Sequence, residues 1–139
     1  MISFNYETDF ELSDEAVYEK WLSEVILSEG KTEGDINYVF CDDDYLHKIN
    51  VEYLQHDTLT DIISFDYSVG NELHGDIFVS VERVADNAKD FEVSFGEELK
   101  RVLVHGILHY CGYKDKSETE AQLMRQKEEE KMQLFHVEQ

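Results

Sequence analysis

The chain has 139 residues, 42% of them hydrophobic, which suits one domain spanning residues 1–139 that buries its own core and excludes a disordered polymer. Against 12 Lys and Arg stand 32 Asp and Glu, a formal charge of -20 that excludes a broad basic nucleic-acid surface and leaves residues 83–116, where the two signs balance, as the segment least repulsive to an anionic substrate. Two cysteines, Cys41 and Cys111, exclude a disulfide framework, and the absence of a long apolar run or a basic, apolar leader points to a soluble, reduced, cytoplasmic protein without a membrane partner.

Met1 to Tyr6 alternates and predicts a first strand. Ser13 is placed to cap a helix running to about Ser28, with Trp21, Leu22, Val25 and Ile26 on its buried side and Gly30 just past its end. Ile36 to Cys41 is apolar and β-branched, hence a strand. Asp42 to Asp44 opens a short helix through Tyr53. Strands follow at Asp61–Tyr67 and His74–Val81, joined by a turn over residues 68–72, with Gly75-Asp76 read as a turn into the second of them. Val81, Val84, Ala85 and Ala88 share one helical face.

Ser94-Phe95-Gly96-Glu97 and Ser117-Glu118-Thr119-Glu120 both carry the capping-box pattern, in which Ser and Glu satisfy each other's backbone donors. The first opens a helix from Glu97 to about Cys111 that is apolar nearly all round, so it is central and buried. The second opens a polar helix to roughly Phe135, on which Glu128-Glu129-Glu130 reads as a solvated face. Strands and helices alternate without a repeating βαβ order. The expected class is α+β, a small mixed four-stranded sheet packed with about five helices, one of them the buried metal-binding helix.

That central helix carries the chemistry. His105 and His109 stand four apart and so share one helical face; Gly112 can leave the helix with positive φ; the chain can then return Asp115 to the same point. Two imidazole nitrogens and one carboxylate oxygen make three ligands and leave a fourth position open, the pattern of a catalytic rather than a structural zinc site, with one Zn2+ per chain expected. The second ring nitrogens need acceptors, and Glu98 is a candidate. Cys111, between the ligands, reads as a small buried hydrophobe. The spacing resembles the zinc stretch of metzincin proteases, but Gly106 stands where those enzymes keep a glutamate base, which argues against a peptidase.

The stretch HGILHYCGYKD, together with Asn50, the segment Thr60-Asp61-Ile62-Ile63-Ser64-Phe65 and Gly75-Asp76-Ile77, resembles the YbeY family of bacterial rRNA-maturation endoribonucleases over roughly residues 35–124. Two positions depart from that family's pattern: Asp115 replaces a third histidine, and Leu54 replaces an arginine thought to handle phosphate. Asp is a competent zinc ligand, although its charge makes a bound water less acidic.

The resemblance implies a metal-dependent, single-strand-specific endoribonuclease acting in 16S rRNA 3'-end maturation and ribosome quality control. Its partners would be the 16S rRNA precursor and the ribosome or small-subunit proteins. His105, His109 and Asp115 would hold the ion, with Ser64, His56 and Lys114 on the substrate side. No side chain stands out as general base, and the nucleophile could be water or the ribose 2'-OH. The alternative is a metal-bearing ribosome-biogenesis factor that acts by binding with little nuclease activity, which Leu54 and the acidic balance favour.

Overall fold

A computed structural model describes residues 1–54 and 60–135. Period-two alternation in the strand Thr32–Cys41 (β2) sets the two faces of a sheet: Ile36, Tyr38 and Phe40 are fully buried on one, and Asn37 and Val39 point to the other. β2 lies between Ile2–Tyr6 (β1) and Glu72–Ser80 (β4), parallel to both, and Ile62–Asp66 (β3) pairs antiparallel with β4 at the edge, giving the order β1-β2-β4-β3. The five helices are Glu15–Ser28 (α1), Asp43–Leu54 (α2), Val81–Asp90 (α3), Phe95–Tyr110 (α4) and Glu118–Met132 (α5). The class is α+β with a mixed four-stranded sheet, as the sequence predicts. Among the described residues no helix is long and apolar enough to cross a membrane.

α4 lies against the Ile36–Tyr38–Phe40 face. The Tyr38 hydroxyl donates to the Leu103 carbonyl at 2.7 Å, a buried hydrogen bond that fixes the helix on the sheet. Gly106 permits the close approach: a Cβ there would meet Cδ1 of Ile77 at 3.0 Å and of Ile62 at 3.3 Å. A glutamate at this position would be driven into the sheet, which gives a structural reason for the glycine. α5 then packs on α4 through Met124, Glu128 and Lys131, buried at i, i+4 and i+7. It is tied to α1, since Trp21 Nε1 donates to the Lys131 carbonyl at 2.8 Å and Lys131 Nζ sits 2.9 Å from Glu29 Oε2.

Several boundaries differ from the sequence reading. α1 begins at Glu15, with Asp14 rather than Ser13 in the N-cap position and no side-chain cap. β2 starts four residues early, at Thr32, because an irregularity between Glu33 and Ile36 lets its polar first turn join the ladder to β4. Gly75-Asp76 is not a turn but mid-strand; Gly75 is needed because the Tyr110 hydroxyl crosses there to donate to the Phe65 carbonyl at 2.9 Å. The box at Ser117 is complete, whereas at Ser94 only the serine half forms, its hydroxyl accepting from the Glu97 amide at 3.1 Å.

Candidate metal centre

The C-terminus of α4 shapes the site. Cys111 caps the helix, Gly112 follows at φ 106°, and the amides of Gly112 and Tyr113 donate to the carbonyls of His109 (3.0 Å) and Leu108 (3.1 Å). This is a Schellman closure, which needs the left-handed residue that glycine supplies. It reverses the chain and returns Asp115 to the histidine face. Nε2 of His105 and of His109 lie 3.0 Å apart, and Asp115 Oδ2 is 3.3 Å from each. Four-coordinate zinc with bonds of 2.0–2.1 Å requires ligand atoms about 3.3 Å apart, so this donor set fits a tetrahedral ion with one position left open.

The ring of His105 is held from behind. Its Nδ1 is 2.6 Å from Oε2 of Glu128, whose Oε1 lies 3.3 Å from Nη1 of Arg101. The carboxylate keeps the proton on Nδ1 and leaves the Nε2 lone pair for the ion. Burial alone would lower the pKa of His105, but the hydrogen bond and charge of Glu128, with Asp115 and Asp61, raise it overall. The carboxylates of Glu128, Asp115 and Asp61 thus surround this ring with negative charge, which suits a bound cation.

Glu128 corrects two expectations. It is not part of a solvated face: it is 4% exposed, while Glu129 and Glu130 are exposed. It also takes the partner role expected of Glu98, which is buried 3.8 Å from Arg101 Nε and is raised in pKa chiefly by that burial. A sequence signal existed, since Glu128 lies on the Met124–Lys131 stripe and a carboxylate on a buried stripe requires a partner.

Beside His105 and Asp115 opens a cavity of about 280 Å³ between α3, α4 and α5, walled by Asp61, Asn87, Phe91, Glu98, Arg101 and Arg125. Asp61 accepts from Asn87 Nδ2 at 3.3 Å, and burial raises its pKa against the pull of His105. Lys114 is exposed next to Asp115. Ser64 shares the sheet face of Ile62 but is not in the cavity wall. His56 lies outside the described residues. Leu54 is exposed at the end of α2 and offers no charge. Burial pushes the Cys111 thiol up to about 11, so it stays protonated at neutral pH and packs as an apolar group.

Comparison with known proteins places this geometry. The family described as Endoribonuclease YbeY matches residues 2–136. Proteins named Endoribonuclease YbeY match from Flavobacterium johnsoniae, 76% identical over the full length of both chains, and from Flavobacterium psychrophilum, 67% identical over 100% of this chain and 99% of the relative. One from Christiangramia forsetii is 62% identical over 99% of this chain and 96% of its own. The solution structure of TM1509 from Thermotoga maritima superposes with a TM-score of 0.71 at 26% identity, over 97% of this chain and 89% of that one.

Proposed function

The chain belongs to the YbeY family, and from that premise we propose that it is a metal-dependent endoribonuclease that cuts single-stranded RNA. The observation that carries the chemistry is the convergence of His105, His109 and Asp115, whose ligand atoms all lie within 4.8 Å of one another. These three residues would hold one Zn2+. When bound, the ion supplies Lewis acidity to a phosphoryl oxygen and stabilises the charge that builds during phosphoryl transfer.

The remaining work falls to the chain's own groups. Glu128 orients His105, and Arg101 holds Glu128 in place. The rigid packing of α4 against the sheet keeps both imidazoles fixed, as a site with narrow geometric tolerance requires. Lys114, exposed beside Asp115, is a cation for the RNA backbone, and Ser64 on β3 is a further hydroxyl assigned to the substrate side. Family membership supports the 16S rRNA precursor as the substrate, the 3' end as the region processed and the small ribosomal subunit as the setting.

Cleavage of a labelled single-stranded RNA by the zinc-loaded chain, beside its duplex and beside Asp115→Ala, tests the proposal. Cutting of the single strand alone, lost in the variant, is expected. Equal cutting by the variant would remove the metal site from the reaction. Leu54 and the charge of -20 favour a second reading, a metal-bearing ribosome-assembly factor that binds without cutting. Ribosome association in the absence of any cleavage would establish that one instead.

A further inference from the structure

We propose that Arg125, at the mouth of the cavity beside the metal ligands, contacts the backbone of bound RNA, with Phe91 beneath it as the seat of the adjoining base. The inference rests on the endoribonuclease reading and adds to it a substrate-binding pair that lies outside the metal motif.

The chain has three arginines. Arg83 is spent on Asp43 at 2.9 Å and on Asp86, and Arg101 on Glu128 and Glu98. Arg125 forms no ion pair among the described residues, although the protein carries 32 carboxylate side chains. It is exposed on α5, its guanidinium 5.6 Å from the ring centroid of Phe91, and Phe91 is itself 52% exposed at the end of α3. Both residues line the cavity that His105 and Asp115 also line. The charge of Arg125 is felt inside it, pulling the carboxyl of Glu98 down against the burial that raises it.

The charges of the wall explain why an anion would stop there. Four carboxylates (Asp61, Glu98, Asp115 and Glu128) face two guanidinium groups, Arg101 and Arg125. One divalent ion balances that excess of two negative charges. Arg101 is paired inside the wall, so Arg125 is the guanidinium of the wall that has no carboxylate partner among the described residues, and it joins exposed Lys114 in facing a phosphate. Its planar fork matches the oxygens of a phosphodiester, and an aromatic face or a guanidinium plane seats an unpaired base regardless of its identity. Nucleotides flanking the scissile bond present that phosphate and that base together.

The test is equilibrium binding of a 2'-O-methylated, cleavage-resistant single strand to the zinc-loaded full chain across a series of KCl concentrations. Arg125→Gln is expected to weaken binding roughly tenfold and to reduce the slope of log K against log salt by about 0.7, the release belonging to one single-strand phosphate. Arg125→Lys is expected to keep the slope. Phe91→Leu is expected to weaken binding roughly tenfold at an unchanged slope, because stacking releases no counterion. Zinc content and thermal melting of each variant are measured alongside. Arg125→Gln with wild-type affinity and slope, or with its loss traced to lost zinc, overturns the assignment while leaving cleavage by the wild type intact. A wild-type chain that binds no RNA even at low salt overturns the endoribonuclease reading, and this subsite with it.

Discussion

Glu128 decides which nitrogen of His105 is left free for a metal ion, because its carboxylate sits 2.6 Å from Nδ1 and is itself held by Arg101. Loss of such an outer partner costs about 10–100-fold in metal affinity. Glu128→Gln should therefore weaken zinc binding by about that factor in a competitive chelator titration while leaving the fold intact; unchanged affinity would show that the ring is oriented by packing alone. Asp115 is the most substitutable ligand, being 39% exposed on a loop. Asp115→Ala should release the ion, whereas Asp115→His should retain it, as elemental analysis of the two purified variants would show. At this scale the i, i+4 histidines, the glycine and the returning carboxylate could all be read from spacing, because helical geometry and the Schellman turn are local. Glu128 was hidden because its partner is 23 residues away and its two acidic neighbours look like a solvated run.

The elements hold this site through two interfaces, α4 on the sheet and α5 on α4. The second is reinforced at its far end by Glu29, which accepts from Lys131 and from the Tyr113 hydroxyl. Burial pushes the pKa of Glu29 up, but those hydrogen bonds and the charges of Lys131 and Lys127 bring it below its ordinary 4.5. The stability this contributes is present above 4.5 and is lost as pH falls through the lowered folded value. Glu29→Gln should thus be less stable than wild type at neutral pH, and urea unfolding should show the gap closing as the pH falls below the ordinary carboxylate range. A gap that stays constant would show that the carboxylate charge is not what ties α1 to α5.

The turn between α3 and α4 carries a different cost. Glu92 stands at φ 57°, a left-handed conformation that an L side chain adopts at a penalty of about 1–2 kcal/mol. Glu92→Gly should raise the unfolding free energy by about 1 kcal/mol, checked by denaturant melts, and a loss of stability would mean that the side chain has a compensating contact. The central helix, its caps and the strand cores were legible because period and capping are local signals. The start of β2 and the mid-strand place of Gly75-Asp76 were not, because both depend on pairing with a partner strand and on Tyr110 crossing the sheet.

Across the whole molecule the charge of -20 sets the terms on which any RNA could bind. The segment from residue 83 to 116 is balanced and supplies most of the wall of the cavity between α3, α4 and α5, so the rest of the chain carries the whole negative excess. Under the proposed function a divalent ion held by His105, His109 and Asp115 would supply both the reactive centre and the charge that makes the cavity approachable. Composition showed the imbalance but not its layout, since the cavity is assembled from three helices that meet only in the fold. The most direct test of this account is the metal content of the purified chain, wild type beside His109→Ala, by elemental analysis without added metal. About one zinc per wild-type chain, absent from the variant, is the predicted result; the same metal content in both, or none in either even after reconstitution with zinc, would contradict it.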